Sequence, residues 1–446
     1  MTNTKRSEHS ITHSHYGCAL ASAYTVLAIP GAVPISNCSP GCVDQQIAIM
    51  NTANGFQGTA GLGCSGIPGS SIGEKEIVFG GAKKLEDVIN ATLKIVKGDL
   101  FVVLSGCAPQ LVGDDTDSIV KRFRDKGVPI VHAEVPGFNG NNLYGHEKVV
   151  KAIIDQFVGE SKVRKRKTLI NLWSPAPYFH TFWKGDLIEL KRLLTGCGFE
   201  VNVFFGSESK GAEEWKNIPK AAFNLVVSPW LGLDIAEHLK EKYDQPYLHI
   251  PSLPIGEEAT SEFLRTVTEF AGISPVKCEN LIAEESHRYY YHLEHFASFF
   301  SEWHFDISSA FAAVGDAAYT LSITKFLSEQ TGLIPVKQII TDNTPEQYRE
   351  TVQNYFYNID SDNEISVEFH EDGYQADEAL READFRYGLP LILGSAWEKD
   401  TADEIGALLI ETGTPITSEV ILNRTYIGYN GAISLLENIY SATVKK

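Results

Sequence analysis

The side chains in this sequence best equipped for chemistry are its thiols. Five of the seven cysteines, Cys18, Cys38, Cys42, Cys64 and Cys107, fall in the first quarter of 446 residues, while Cys197 and Cys278 stand alone further on. Such crowding points to ligands rather than core thiols. Cys107 follows the hydrophobic strand pattern Leu100 to Leu104 and opens the run Cys107-Ala-Pro-Gln-Leu-Val-Gly113-Asp114-Asp115. A thiolate at the end of a buried strand, followed by small residues that let backbone come close, is what an iron–sulfur cluster needs from its protein. Cys18 precedes an Ala-rich apolar stretch, and Cys42 closes the turn Asn37-Cys38-Ser39-Pro40-Gly41. A lone buried thiolate is costly, so bound iron must supply the compensating charge. Cys18, Cys42 and Cys107 are therefore read as metal ligands. Cys38 and Cys64, the latter in the glycine-rich loop Gly55 to Gly73, are read as small buried residues, with an added ligand or a redox thiol as the alternative.

Other chemistries find less support. Asp114 and Asp115 could form a catalytic carboxylate pair, but a helix pattern starting at Thr116 makes them caps for its free N–H groups. No Gly-x4-Gly-Lys-[Ser/Thr] run occurs, so ATP is not bound in the P-loop manner, and no Gly-x-Ser-x-Gly elbow suggests hydrolysis. The histidines His9, His13 and His15 lie on a polar N-terminal stretch expected to be a mobile tail. Cys197 reads as a helix-end thiol, and no catalytic residue can be named.

These residues must be positioned by α/β units. Strand patterns at Leu100–Leu104 and 129–133 alternate with helix patterns at 116–126 and 146–158, the rhythm of a parallel sheet covered by helices. A basic run, Lys162 to Lys167, reads as a solvated linker. Beyond it come strands at 168–172, 200–205, 223–228 and 247–250, with helices at 187–194, 234–242 and 262–271. An aromatic-rich connector, His287 to Phe300, whose Tyr289, Tyr290, Tyr291 and Phe296 are read as helical core packing with ligand stacking as the alternative, precedes a third set: strands at 311–314, 334–340 and 389–393, helices at 317–331 and 345–355. The expected architecture is α/β, with three doubly wound Rossmann-like domains with parallel sheets, over residues 1–160, 167–275 and 290–446. Ligands in such sheets sit beyond the carboxyl ends of strands. A net charge of −19 argues against nucleic acid or an anionic membrane as partner. No run of about 18 apolar residues appears and Met1 to His15 lacks a signal-peptide core, so a cytoplasmic protein is expected.

The segments Tyr16-Gly17-Cys18-Ala19, Ser39-Pro40-Gly41-Cys42, Glu74 to Gly81 and Cys107-x5-Gly113-Asp114-Asp115 occur in the order, and at roughly the spacing, of nitrogenase component 1. The likeness continues through Pro136 to Gly140, Leu253 to Gly256 and Ile427 to Gly431, so the chain resembles a subunit of that superfamily over nearly its whole length. The resemblance implies an iron–sulfur cluster, P-cluster-like 8Fe or 4Fe–4S, shared with a partner subunit, with Cys18, Cys42 and Cys107 as this chain's three ligands. It also implies an α-type partner in an α2β2 assembly and an ATP-dependent iron–sulfur reductase docking over the cluster edge, with 43–53 as part of the docking face. The family's α subunits hold a catalytic cofactor with a Cys and a His; Ser228 and Ser418 align there, which makes this chain β-like in role. Gly106 stands where Thr or Glu is common, and Gly137 where some β subunits carry a cluster-binding Ser. The implied function is an electron-transfer β-type subunit of a nitrogenase-like reductase acting on dinitrogen or a methylthio-alkane carbon–sulfur bond. The alternative is a non-catalytic scaffold for cofactor assembly.

Overall fold

Three sets of parallel strands organise the chain. The computed structural model describes residues 13–42, 44–45, 67–303, 307–386 and 388–445. The first sheet runs β1 (Ala32–Asn37), β2 (Leu100–Ser105), β3 (Ile130–Glu134) in that spatial order. The second comprises β4 (Arg166–Trp173), β5 (Glu200–Asn202), β6 (Ala221–Val227) and β7 (Tyr247–Ile250), ordered β5-β4-β6-β7. In the third, β8 (Ala310–Gly315), β9 (Ile334–Ile340), β10 (Val367–Phe369), β11 (Leu391–Gly394) and β12 (Leu408–Glu411) are ordered β10-β9-β8-β11-β12. Every ladder pairing is parallel. The fold is α/β, as the sequence predicts.

The apolar strands are buried on both faces, as expected of parallel sheets between helices. In β2 the period-2 alternation splits the side chains: Leu100, Val102 and Leu104 enter the largest core, which extends through all three sheets. Phe101 and Val103 point the other way, against Val33, Ile35, Leu85 and Ile89. The third sheet repeats the division, with Phe311 and Ala313 in the main core and Ala310, Ala312 and Val314 in a smaller one.

Several details depart from expectation. Residues 287–300 are helical, as their aromatics predict, but belong to one long helix, Val276–Trp303, rather than to a separate connector. Of its aromatics, Tyr289 is buried, whereas Tyr290 and Tyr291 are exposed. Arg166 and Lys167, at the end of the basic run, already belong to β4, and residues 162–167 are solvent-exposed. Cys197 does cap the end of helix Trp183–Gly196, but neither it nor Cys278 stands alone: both are buried, and their thiols are neighbours. Among the described residues no helix is long and apolar enough to cross a membrane.

Candidate metal centre

The carboxyl ends of all three strands of the first sheet converge. Asn37, Ser105 and Glu134 stand in register across β1, β2 and β3, so the segments leaving those strands emerge side by side. Cys38 and Cys42 follow β1, Cys107 follows β2, and Gly137 follows β3. Cys107 is the first residue of helix Cys107–Val112, and its sulfur accepts a hydrogen bond from the Gly137 N–H at 3.2 Å. Cys18 arrives from elsewhere, as the N-cap of the short helix Ala19–Ser22, its sulfur accepting the Leu20 N–H at 3.4 Å. That short helix lies against helix Asn142–Ile153, and only a glycine at 145 permits the approach, since a Cβ there would strike the Ala19 carbonyl.

Gly137 shows how close the two sulfurs come. A Cβ built on it would lie 3.4 Å from Cys18 Sγ and 3.7 Å from Cys107 Sγ. A side chain at 137 would therefore project between the cysteines. Cys42 is half-buried, held by a turn that uses the left-handed Gly41 (φ +84), and Cys42 and Cys107 both stand within electrostatic reach of Cys18. Burial pushes the Cys18 thiol above its ordinary value; the Leu20 N–H opposes this, and the nearness of Cys107 and Cys42 adds to the rise. The structure thus brings Cys18 and Cys107 together, with Cys42 within electrostatic reach of Cys18. Among the described residues no three His, Cys, Asp or Glu side chains stand close enough to grip a single ion. Any metal held here must be broad enough to reach sulfurs on separate segments.

Cys38 packs differently. Its side chain is 2 % exposed within the main core, and burial raises its thiol to about 12. A Cβ on Gly106 would lie 3.1 Å from Cys38 Cβ, so the two residues pack closely against each other. Asn37 is likewise structural, accepting from Ser70 at 2.8 Å and donating to Thr116 at 3.2 Å. Cys64 and most of 43–53 lie outside the described residues.

The paired carboxylates cap helices, though not the same one. Asp115 accepts from the Ser118 N–H at the start of helix Thr116–Arg124, as expected. Asp114 instead takes the Gly81 N–H with both oxygens, 3.0 and 2.9 Å, at the start of helix Ala82–Ile95. The N-terminal histidines also differ from expectation. His15 is buried and meets Glu398 at 2.9 Å, and the His13 carbonyl accepts from the Gly373 N–H at 3.0 Å. Residues 13–15 are therefore docked on the third sheet's helices rather than forming a free tail; His9 lies outside the described residues.

A second convergence was not named from the sequence. Between the second and third sheets, Asp316 caps helix Ala317–Thr331 through the Ala318 and Tyr319 N–H groups and meets His180 at 3.4 Å. Asp342 accepts from the Trp230 indole and the Ala317 N–H, each at 3.0 Å. Asp186 accepts from Tyr319 and Thr425 hydroxyls, each at 2.6 Å. Burial raises Asp186 to about 7, while the Asp316 carboxyl, although burial pushes it up, is held below its ordinary value by His180. The available signal was positional: Asp316 and Asp342 directly follow the ends of β8 and β9. Ser228 is buried with its carbonyl accepting from His249 at 2.7 Å, and Ser418 donates to Glu411 at 2.7 Å. Neither is a metal-binding side chain.

Three parallel sheets with cysteines beyond the carboxyl ends of the first define an α/β architecture, and the comparisons give it a family. The model of the nitrogenase component 1 type oxidoreductases matches residues 18–443. The chain belongs to that family and is of its β type. It is 24 % identical over 459 residues to the nitrogenase molybdenum-iron protein beta chain of Methanococcus maripaludis, covering 96 % of this chain and 93 % of the relative. It is 23 % identical over 400 residues to one of the subunits of the light-independent protochlorophyllide reductase of Angiopteris evecta, covering 84 % and 73 %. A solved structure titled nitrogenase Cp1 at pH 6.5 superposes with a TM-score of 0.80 at 18 % identity, covering 100 % of this chain and 95 % of the other.

Proposed function

We propose that this chain is the electron-transfer β-type subunit of a nitrogenase-like two-component reductase, working in the cytoplasm beside an α-type partner in an α2β2 assembly. Cys18, Cys42 and Cys107 would hold an iron–sulfur cluster at the boundary between the subunits. The observation that carries this reading is the meeting of Cys18 and Cys107 across Gly137, with Cys42 close by.

The residues present fit such a group. Thiolates are the ligands that iron–sulfur clusters use, and hydrogen bonds to their sulfurs tune the potential. Here the Gly137 and Leu20 N–H groups already point at two of the sulfurs. Glycine at 137 keeps the space between them open. A bound cluster would supply one-electron storage, filled from a separate ATP-dependent iron–sulfur reductase. Three thiolates from one chain leave a P-cluster-like body short of ligands, so a partner must complete it.

The surroundings suit a partner. Phe79 is 81 % exposed, Leu111 76 % and Phe138 59 %, with Ile77 and Val78 beside them. Helix Glu74–Phe79 packs on helix Cys107–Val112, and Phe138 follows Gly137, so these apolar side chains border the cysteines. Exposed apolar groups gathered this way mark an interaction face. Meanwhile Ser228 and Ser418 supply neither a thiolate nor an imidazole, so the substrate-reducing cofactor belongs on the partner, with dinitrogen or a methylthio-alkane carbon–sulfur bond as substrate.

The test is iron content and electron paramagnetic resonance of the complex co-purified with its α-type partner. Cys107→Ala or Cys42→Ala should remove most of the iron attributable to this site while leaving the far-ultraviolet circular dichroism unchanged. Unaltered iron in both variants would defeat the ligand assignment. A complex that binds iron yet shows no turnover with an ATP-dependent reductase would instead favour the assembly-scaffold role.

A further inference from the structure

Away from the cysteines, a cleft of about 410 Å³ opens where the turn before β1 meets the start of helix Trp183–Gly196. Its walls are apolar, formed by Leu27, Ile29, Val33, Tyr178 and Trp183, and its size lies within the range of small-molecule pockets. Of its two cations, Lys184 is half-buried on the wall and Lys97 is exposed.

Lys184 is anomalous in three ways. It occupies the first turn of its helix, the positive end of the dipole, where a cation is disfavoured. The N-cap, Phe182, supplies no side-chain acceptor to offset that end. Among the described residues no carboxylate or other acceptor meets its ammonium, which lies 5.8 Å over the Tyr178 ring and 5.6 Å over Trp183. The acid in the same turn, Asp186, is directed into the core and engaged by Tyr319 and Thr425. Desolvation accordingly lowers the lysine's pKa, with no opposing charge to restore it.

The walls add two unresolved features. Tyr178 holds a left-handed backbone (φ +64), costly for a bulky residue and a conformation that persists where surroundings enforce it. Trp183 is 2 % exposed and its indole N–H has no acceptor. Lys97 lines the mouth and adds a second cation.

We infer that this cleft binds a small organic carboxylate with a flat apolar body, the carboxylate meeting Lys184 and the body lying against Trp183, Tyr178 and Ile29. An anion there relieves both the unpaired ammonium and the uncapped helix end. A single half-buried ammonium matches one carboxylate. A phosphate has no apolar body to set against these walls, and no arginine fork is present among the lining residues to hold it.

Titration calorimetry on the full chain with benzoate, and with its neutral isostere benzamide, tests this. Benzoate should bind saturably, and Lys184→Gln should weaken it by about tenfold or more, the loss of one charge-assisted hydrogen bond, without changing benzamide. Ser207→Trp, at the exposed mouth, should block both ligands while leaving the melting temperature unchanged; it decides the matter if Lys184→Gln fails to fold. The proposal is overturned if benzoate gives no saturable heat, if benzamide binds wild type as well as benzoate does, or if the folded variants bind benzoate like wild type.

Discussion

The rim of the first sheet and the interior between the second and third sheets both gather ionisable side chains, but they finish the task differently. Inside, Asp186, Asp316 and Asp342 each have donors on the chain itself, and His180 pairs with Asp316. At the rim, the donors to Cys18 and Cys107 are backbone N–H groups, the cysteines approach one another, and the neighbouring side chains are apolar and exposed. A buried polar network must be satisfied internally or not exist, because each unpaired group costs its full desolvation. Groups at a surface can stay incomplete when something else completes them. The same architecture thus carries one polar centre satisfied by the chain itself and one rim where thiols meet backbone donors beside exposed apolar side chains.

The sharpest way to break this contrast is at the interior. Asp316→Ala strands His180 in a low-dielectric site and removes a helix cap, so stability should fall by about 3–5 kcal/mol in denaturant titration. A loss below about 1 kcal/mol would mean that the network is not self-sufficient. At the rim, the double change Phe79→Asp with Leu111→Asp should leave the isolated chain's stability within about 0.5 kcal/mol and weaken association with the α-type partner by about a hundredfold. Co-purification undiminished by both charges would move the partner face elsewhere.

A pH experiment sharpens the interior further. Because the folded-state pKa of Asp186 is raised to about 7, its neutral form is the one the fold favours. Its contribution is fully present below the unfolded value near 4 and is lost as pH climbs through 7. Asp186→Asn, which keeps an acceptor, should therefore flatten the decline in stability between pH 4 and 7 by roughly 1–3 kcal/mol. Identical pH profiles for both proteins would refute it. The smallest effect belongs to the capping pair: Asp115→Ala should cost about 1 kcal/mol, read as a small drop in melting temperature with iron content unchanged.

How much of this was legible in the sequence follows from how local each signal is. Tyr247–Ile250, Ile334–Ile340 and Ala317–Thr331 could be bounded directly, because apolar period and flanking turn residues agree. The strand Ala32–Asn37 was hidden by Pro34 inside it and by glycine and proline on either side. Residues 287–300 read as helical, but which of their aromatics meet the core was not legible, because they are spread around the helix, some buried and some exposed, which blurs the stripe. The order of the cysteine motifs was legible, yet nothing local says that Gly137 lies beside the sulfurs of Cys18 and Cys107. The interior network was illegible for the same reason: His180 and Asp316 are 136 positions apart, and only the folded chain makes them neighbours. Cys197 and Cys278 repeat the lesson.

The docking of the first described residues has a bearing on the order of events in the cell. Cys18 leaves the ribosome early, but its perch is built from later pieces: it bridges to Asn141, the side chain of Asn141 donates to the Asp342 carbonyl, and His15 is anchored at Glu398. Translation must have passed Glu398 before that geometry exists. Any step that depends on it would follow the synthesis of Glu398, and a chain cut short before that residue would carry Cys18 without the long-range contacts that seat its segment.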